Sequence, residues 1–240
     1  MTAQKIKIFI DFDGTITKED VGESIFRNFG NKFIVEKIID DLLNDRISAK
    51  QSWIELCNSI EKVDVSILND FIYKMEVDPG LHNIVRFCED RNIQILVLSD
   101  GFDYYIDMIL TREKLNGLKY FSNHLIISPQ NKLIPDFPYY DPLCQYSANC
   151  KRNHIINNSR DEDFTIYIGD GNSDKDTAQY CDLIFAKKSL LKFCEKERIS
   201  FSPYKTFDDV INKLSVLLEK KNLKKRHQAG LKRREAYISE

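Results

Sequence analysis

The 240-residue sequence has no CxxC pair, no apolar run long enough to cross a bilayer, no internal repeat and no surplus of one charge. Each absence excludes something. Six cysteines, at 57, 88, 144, 150, 181 and 194, are scattered along the chain, which speaks against a disulfide framework and fits a reduced, cytoplasmic protein. With a formal net charge of -2, the whole-molecule field offers nothing to attract nucleic acid. No membrane segment is expected, nor a signal peptide, because polar residues Met1 to Lys7 run straight into a strand pattern. What is present is ordinary for a globular protein, 42% hydrophobic and 30% charged, and the length suits one core domain carrying an inserted cap.

Compact apolar runs at Ile6 to Ile10, Ile93 to Leu98, Phe164 to Ile168 and Leu183 to Ala186 predict buried strands. Helical patterns lie between them, at Leu81 to Asp90, Tyr104 to Lys114, Lys151 to Asn158, Asp174 to Tyr180 and Phe207 to Lys221. That alternation predicts an α/β fold: a Rossmann-like, three-layer core with a parallel sheet and an inserted helical cap. The core is expected over residues 1–17 and 79–222. The cap spans 18–78, with apolar faces at Ile34, Ile38, Leu42 and at Ile67, Phe71, Met75, and it closes on the turn Asp78-Pro79-Gly80. A hairpin is expected around Pro129-Gln130-Asn131, pairing Leu125 to Ser128 with Lys132 to Ile134. The basic tail, residues 223–240, reads as a frayed solvated helix or as a contact for an acidic partner.

Three of the strands end in Asp11, in Ser99 and in Gly169-Asp170, and ligands of open parallel sheets bind just beyond the carboxyl ends of strands. Asp11 and Asp13, two residues apart, can share a face. One carboxylate can then attack phosphorus while the other carries the proton of the leaving oxygen and, later, of water. Gly14 permits a tight turn, and Thr15 adds a hydroxyl and a backbone N–H. Ser99-Asp100-Gly101 offers a hydroxyl and N–H groups to a phosphate, although a serine there is also an ordinary helix cap. Lys151 would neutralise crowded carboxylates and the transferring group. Asp170, Asp11 and the Asp13 carbonyl form a hard oxygen set for Mg²⁺, and Asp174 is placed to orient Lys151 or a metal-bound water. A divalent cation is needed on charge grounds, since several carboxylates meet a phosphate.

The set DFDGT at residues 11–15, Ser99, Lys151 and GDGNSD at 169–174, in that order, resembles the haloacid dehalogenase-like phosphatases. The resemblance covers most of the chain. It implies Asp11 as nucleophile, Asp13 as acid/base, Ser99 and Lys151 as phosphate binders, and Asp170 as metal ligand. The branch most similar holds the phosphoserine, methionine-salvage and phosphoethanolamine/phosphocholine phosphatases. Tyr120-Phe121-Ser122-Asn123-His124 and Asn149-Cys150-Lys151 resemble the last two. Ile54 falls near the position of the arginine that holds the serine carboxylate, which argues against phosphoserine. Only Cys144 and Cys150 remain in the loop before the lysine, too few for a closed metal site. Asp20 is a candidate contact to a substrate hydroxyl or amine, or else an N-terminal helix acid. Core roles are expected for Phe26 and Trp53, and structural ones for His124 and His154.

The expected activity is therefore hydrolysis of a small phosphorylated metabolite through an aspartyl-phosphate, with 2-hydroxy-3-keto-5-methylthiopentenyl-1-phosphate as leading substrate and phosphoethanolamine, phosphocholine or phosphoserine as alternatives. A non-catalytic phosphate-binding protein on the same scaffold is the reading from another class, and a phosphotransferase is a third.

Overall fold

A computed structural model describes residues 5–144, 147–220 and 223–238. Its centre is a seven-stranded sheet in the order β4-β3-β2-β1-β5-β6-β7. The strands are β1 (Ile6–Asp11), β2 (Gln94–Phe102), β3 (Tyr120–Ile127), β4 (Leu133–Asp136), β5 (Phe164–Gly169), β6 (Leu183–Ala186) and β7 (Ser202–Pro203). All pairings are parallel except β3 with β4, the expected hairpin. The chain fills one side of β1 with β2 to β4 and then crosses to the other side for β5 to β7. The reversal leaves a crevice above β1 and β5, where Asp11 and Asp170 emerge.

Period-two alternation builds the two faces. Ile8, Ile10, Ile166 and Ile168 belong to one buried cluster, and Phe9 and Tyr167 belong to the other. Helices α5 (Leu81–Glu89), α6 (Asp103–Arg112) and α10 (Phe207–Leu218) cover the first face. On the second lie α7 (Lys151–Asn158), the single turn α8 (Lys175–Ala178) and α9 (Lys188–Lys196).

Between Thr17 and Val77, which form an antiparallel bridge, the chain makes four helices: α1 (Val21–Phe29), α2 (Lys32–Leu43), α3 (Ala49–Asn58) and α4 (Val65–Tyr73). Each begins where a short polar side chain, Asp20, Asn31, Ser48 or Asp64, accepts a hydrogen bond from the first turn's N–H groups. Such a cap is worth about 1 kcal/mol. The inward faces match the expected ones at Ile38 and Met75 and shift by one residue at Ile34 and Ile67. Val35 and Ile38 are buried, whereas Ile34 is about half exposed, and Leu68, Ile72 and Met75 face inward while Ile67 points out. Two apolar rows run side by side on these helices, and packing of α4 against α1 and α6 selects between them. The insert has no separate core: Phe26, Ile38 and Leu56 join the same cluster as the sheet residues.

The basic tail departs further from expectation. α11 (His227–Ile238) packs back on the second face instead of lying free in solvent. Arg233 is 2% exposed, donating to Thr165 Oγ1 (3.0 Å) and pairing with Asp182 (3.3 Å). Arg226 donates to the carbonyls of Ala178 and Gln179. A helix of low overall apolarity is thus fixed by guanidinium groups that find carbonyl and carboxylate partners, a device that charge counting reads as solvation.

Candidate active site

β1 delivers Asp11 to the crevice, 4% exposed. Beyond it Phe12 to Ile16 form a wide turn closed by Thr17 N–H to the Phe12 carbonyl, with Gly14 at φ 76°. A Cβ on Gly14 would lie 2.4 Å from Asp170 Oδ2, so close approach as well as backbone sign requires glycine here. The turn brings Asp13 round toward β2. Its Oδ1 accepts from Val21 N–H (3.0 Å) at the start of α1, and its Oδ2 accepts from Ser99 Oγ (3.0 Å) and Tyr105 Oη (2.8 Å). Burial lifts the Asp13 carboxyl above its ordinary range, and the Tyr105, Ser99 and Val21 donors pull it back.

Lys151 opens α7 and is fully buried. Its Nζ meets Asp11 Oδ1 at 2.5 Å, Asp174 Oδ1 at 2.7 Å and Ser173 Oγ at 2.9 Å, which uses its three donors. Burial works against the ammonium, but Asp11 and Asp174 outweigh it and hold the lysine charged, above its usual range. Asp11 itself is raised well above the ordinary carboxylate range, by burial and by Asp174, with Lys151 acting against both.

Asp174 is saturated. Its Oδ1 also accepts from Tyr167 Oη (2.5 Å), and its Oδ2 accepts from the N–H groups of Asp170 and Gly171, each at 2.9 Å. It orients both the lysine and the loop that carries Asp170. Asp170 faces Lys188 Nζ at 2.8 Å and receives a long contact from Thr15 Oγ1 at 3.5 Å; burial and Asp174 raise its carboxyl, and Lys188 acts the other way.

One carboxylate oxygen from each of Asp11, Asp170 and Asp174 lies within 4.8 Å of the others. Because Asp174 already accepts four hydrogen bonds, Asp11 and Asp170 are the pair left to hold a cation. An all-oxygen donor set of this kind suits Mg²⁺ and not the thiolate- and imidazole-seeking metals. The missing Cβ at Gly14 keeps the space beside Asp170 open. Cys144 and Cys150 are buried free thiols lying apart from this group.

Above the acids lies a cavity of about 450 Å³, roofed by the helical insert. Phe26, Ile39, Leu42, Ile47, Trp53 and Leu56 form its apolar wall, and Asp20, Glu23 and Arg27 its polar rim. Asp20 lines this cavity and also caps α1 through Glu23 N–H (2.7 Å), so it combines both expected positions. Phe26 and Trp53 touch the cavity as well as the core. Ser99 and Gly101 reach the site, but the Ser99 hydroxyl is engaged with Asp13 and Gly101 N–H with Ser99 Oγ (2.9 Å). The Asp100 carboxylate also borders the cavity, its Oδ2 accepting from Trp53 Nε1 (3.3 Å) and its Oδ1 from the backbone N–H groups of Ala148 and Asn149. His124 pairs with Asp103 (2.6 Å) and His154 stacks on Phe121, both structural as expected. Sequence reasoning missed Tyr105, Tyr167 and Lys188. The tyrosines sit inside apolar helix and strand patterns, where a hydroxyl gives no signal of its direction. Lys188 follows a short strand, the same place in the βα unit that Asp11 and Asp170 occupy in theirs, and that regularity could have flagged it.

A parallel sheet with a helical insert over two carboxylates at the end of its central strand, a buried lysine and an acidic loop defines a haloacid dehalogenase-like phosphatase. The chain belongs to the Putative Phosphatase family, whose model matches residues 6–201. Among its relatives, a 2-hydroxy-3-keto-5-methylthiopentenyl-1-phosphate phosphatase of Bacillus mycoides (strain KBAB4) is 30% identical over 221 residues, 90% of this chain and 99% of the relative. One of the same name from Bacillus thuringiensis (strain Al Hakam) is 31% identical over 219 residues, with the same coverage. The solved structure of a phospho-aspartyl intermediate analogue of phosphoserine phosphatase superposes with a TM-score of 0.68 at 21% identity, covering 88% of this chain and 99% of that one. Substrate-bound phosphoserine phosphatase gives 0.68 at 22% identity, over 88% and 98%. The chain is a phosphoric monoester hydrolase. Among the described residues, no helix is long and apolar enough to cross a membrane.

Proposed function

We propose that the protein hydrolyses 2-hydroxy-3-keto-5-methylthiopentenyl-1-phosphate, with Asp11 as nucleophile, Asp13 as proton carrier and Mg²⁺ held by Asp11 and Asp170. The observation that carries the mechanism is the placement of Asp11 and Asp13 at the end of β1 with the Lys151 ammonium 2.5 Å from Asp11. Asp11 displaces the alcohol from phosphorus while Asp13 gives the leaving oxygen its proton. Asp13 then takes a proton from the water that cleaves the acyl phosphate, returning Asp11. Its opposed influences, burial against the Ser99 and Tyr105 donors, suit a group that must hold a proton in one step and lack it in the next. Lys151 offsets charge on Asp11 and on the phosphoryl oxygens. Bound Mg²⁺ supplies further positive charge at those oxygens.

The substrate assignment draws on the relatives' names and on the cavity. A wall of Phe26, Ile39, Leu42, Ile47 and Leu56 favours a short apolar tail such as methylthioethyl over a charged amino acid. Arg27, the cation on the insert's side of the cavity, is paired with Glu23 and Glu36, each at 2.7 Å, and is thereby diverted from a substrate carboxylate. Asp20 and Glu23 at the rim support a second reading, an amine-bearing ester such as phosphoethanolamine.

Phosphate release should be measured with the enol phosphate, phosphoethanolamine, phosphocholine and phosphoserine, with and without EDTA. The highest kcat/KM is expected for the enol phosphate in Mg²⁺, with Asp11→Asn reducing it at least about a thousandfold. Activity surviving both Asp11→Asn and EDTA would end the mechanism, and a preference for an aminoalcohol ester would transfer the assignment to the second reading.

A further inference from the structure

One face of α3 is among the places where the helical insert meets the rest of the molecule, beside the packing of α4 on α6. Lys50 and Trp53, three residues apart, lie on the same side of that helix. The Lys50 ammonium stands 4.0 Å from the Tyr140 ring centroid. Trp53 Nε1 donates to Asp100 Oδ2 at 3.3 Å, and its ring packs edge-on against Phe102 at 4.9 Å.

Asp100 divides its two oxygens between different parts of the chain. Oδ2 takes the indole of the insert, and Oδ1 accepts from the backbone N–H groups of Ala148 (2.6 Å) and Asn149 (2.9 Å). Asn149 extends the connection. Its Nδ2 donates to the Ser99 carbonyl (2.7 Å) and to the Phe121 carbonyl (2.9 Å). Both amide protons being committed, Asn149 Oδ1 must accept, so the His154 nitrogen 2.7 Å away, Nε2, carries its proton. Two residues beyond Asn149 stands Lys151, on Asp11. One unbroken series of hydrogen bonds therefore runs from the roof of the cavity to the backbone that sets Ser99 and Lys151.

We propose that Asp100 is a positioning residue that couples the seating of α3 over the cavity to the placement of Lys151 and Ser99. The coupling rests on the phosphatase reading of those two residues, because only there does their placement bear on turnover. Its physical basis is that the insert joins the core covalently only beside the Thr17–Val77 bridge. Elsewhere the roof is held by non-covalent contacts, and the Trp53 contact ends on Asp100, which itself holds the backbone N–H groups of residues 148 and 149 just before Lys151. A substrate seated beneath α3 strengthens the Trp53–Asp100 contact, and Asp100 passes that constraint to residues 148–151. An enzyme with this coupling holds its phosphate-binding groups in register only when the roof is down.

The sequence has a single tryptophan, so emission from Trp53 reports the contact directly. Asp100→Asn keeps one carbonyl oxygen for the Ala148 and Asn149 N–H groups and puts an NH₂, which cannot accept from an indole, where Oδ2 stood. Trp53→Phe removes the donor and keeps an aromatic ring. The measurements are kcat and KM on an aryl phosphate for both single variants and the double variant, with melting curves to verify folding. Trp53 emission is followed on addition of orthovanadate, a phosphate analogue, in the wild type and in Asp100→Asn.

Each single substitution should lower kcat about tenfold with little change in KM, the worth of one hydrogen bond to a carboxylate. The double variant should lose no more than either single one, because both remove the same bond. The vanadate-dependent change in emission should disappear in Asp100→Asn. Losses that multiply in the double variant, an undiminished emission change, or a rise in KM confined to Asp100→Asn would each overturn the proposal; the last would mean that Asp100 touches substrate itself. If Asp100→Asn does not fold, an unchanged kcat in Trp53→Phe overturns it alone. Failure of the phosphatase reading looks different: wild-type turnover would then be absent or indifferent to Asp11→Asn.

Discussion

Replacing Lys151 by methionine tests the electrostatics on which the site depends. The ammonium is buried and saturated, touching Asp11, Asp174 and Ser173 at 2.5, 2.7 and 2.9 Å. Methionine nearly matches the chain in length and apolar volume, so the change removes charge and leaves little cavity. Two buried carboxylates then face each other without their counter-ion. Removing one partner of a buried pair costs about 3–5 kcal/mol. In a chain of this size each kcal/mol moves the melting temperature by about 2–4 °C, so Lys151→Met should melt about 6–20 °C below the wild type in EDTA. Asp174→Asn added to it removes one of the stranded charges, and its new amide can donate to Tyr167 Oη. The double variant should therefore melt above Lys151→Met, with an interaction of about 0.5–3 kcal/mol. Mg²⁺ should narrow the gap for Lys151→Met by restoring positive charge beside Asp11. Differential scanning calorimetry reads all of this. A Lys151→Met protein melting within about 2 °C of the wild type, or a double variant showing simple addition of the two losses, would refute the account of the lysine as the site's internal counter-ion.

Two other expectations concern parts of the fold away from the acids. His154 is buried and held neutral, its ring pushed down to about 4 by burial. In the unfolded chain it titrates near 6.5, so its contribution is full above about pH 6.5 and is lost as pH falls toward about 4, worth about 3 kcal/mol in all. His154→Gln, which keeps a donor for Asn149 Oδ1, should flatten the change in urea midpoint between pH 7 and pH 4.5. Arg233→Met strips Asp182 of its buried guanidinium and should lower the melting temperature by several degrees, whereas Arg234→Met, at an exposed side chain, should leave it within about 2 °C.

The sequence disclosed the parts of the site that sit at strand ends. A strand must be apolar to be buried and must end where the first polar residue meets the crevice, so Asp11 and Asp170 stood out from the pattern; Ser99, read as a third strand end, lies inside β2, which continues through a shift in register to Phe102. Lys151 was legible only through its order among them, because nothing local separates a buried lysine from a surface one. Supporting residues were invisible for the same reason. Tyr105 and Tyr167 look like core aromatics, and only the tertiary fold turns their hydroxyls toward Asp13 and Asp174. Periodicity located the insert's helices and their inward residues Ile38 and Met75, but missed by one residue at Ile34 and Ile67, because two apolar rows compete there and packing decides. The segment 174–180 was read as a helix but is regular only over Lys175–Ala178, with the Asp174 side chain turned to Lys151, Tyr167 and the loop backbone and not to capping. For α11, long runs of lysine and arginine spelled solvent, yet two arginines reached carbonyls and Asp182.

The bond from Val21 N–H to Asp13 has a bearing on how such enzymes diversify. It is made by main chain, so it does not depend on which side chain follows Asp20, only on a helix starting at that point. Side chains elsewhere on the insert are free to vary without disturbing this contact to Asp13 below. New specificities can then arise by exchanging wall residues, or whole helical inserts, on an unchanged chemical base, and a designer grafting a foreign roof would need to preserve little more than that first turn.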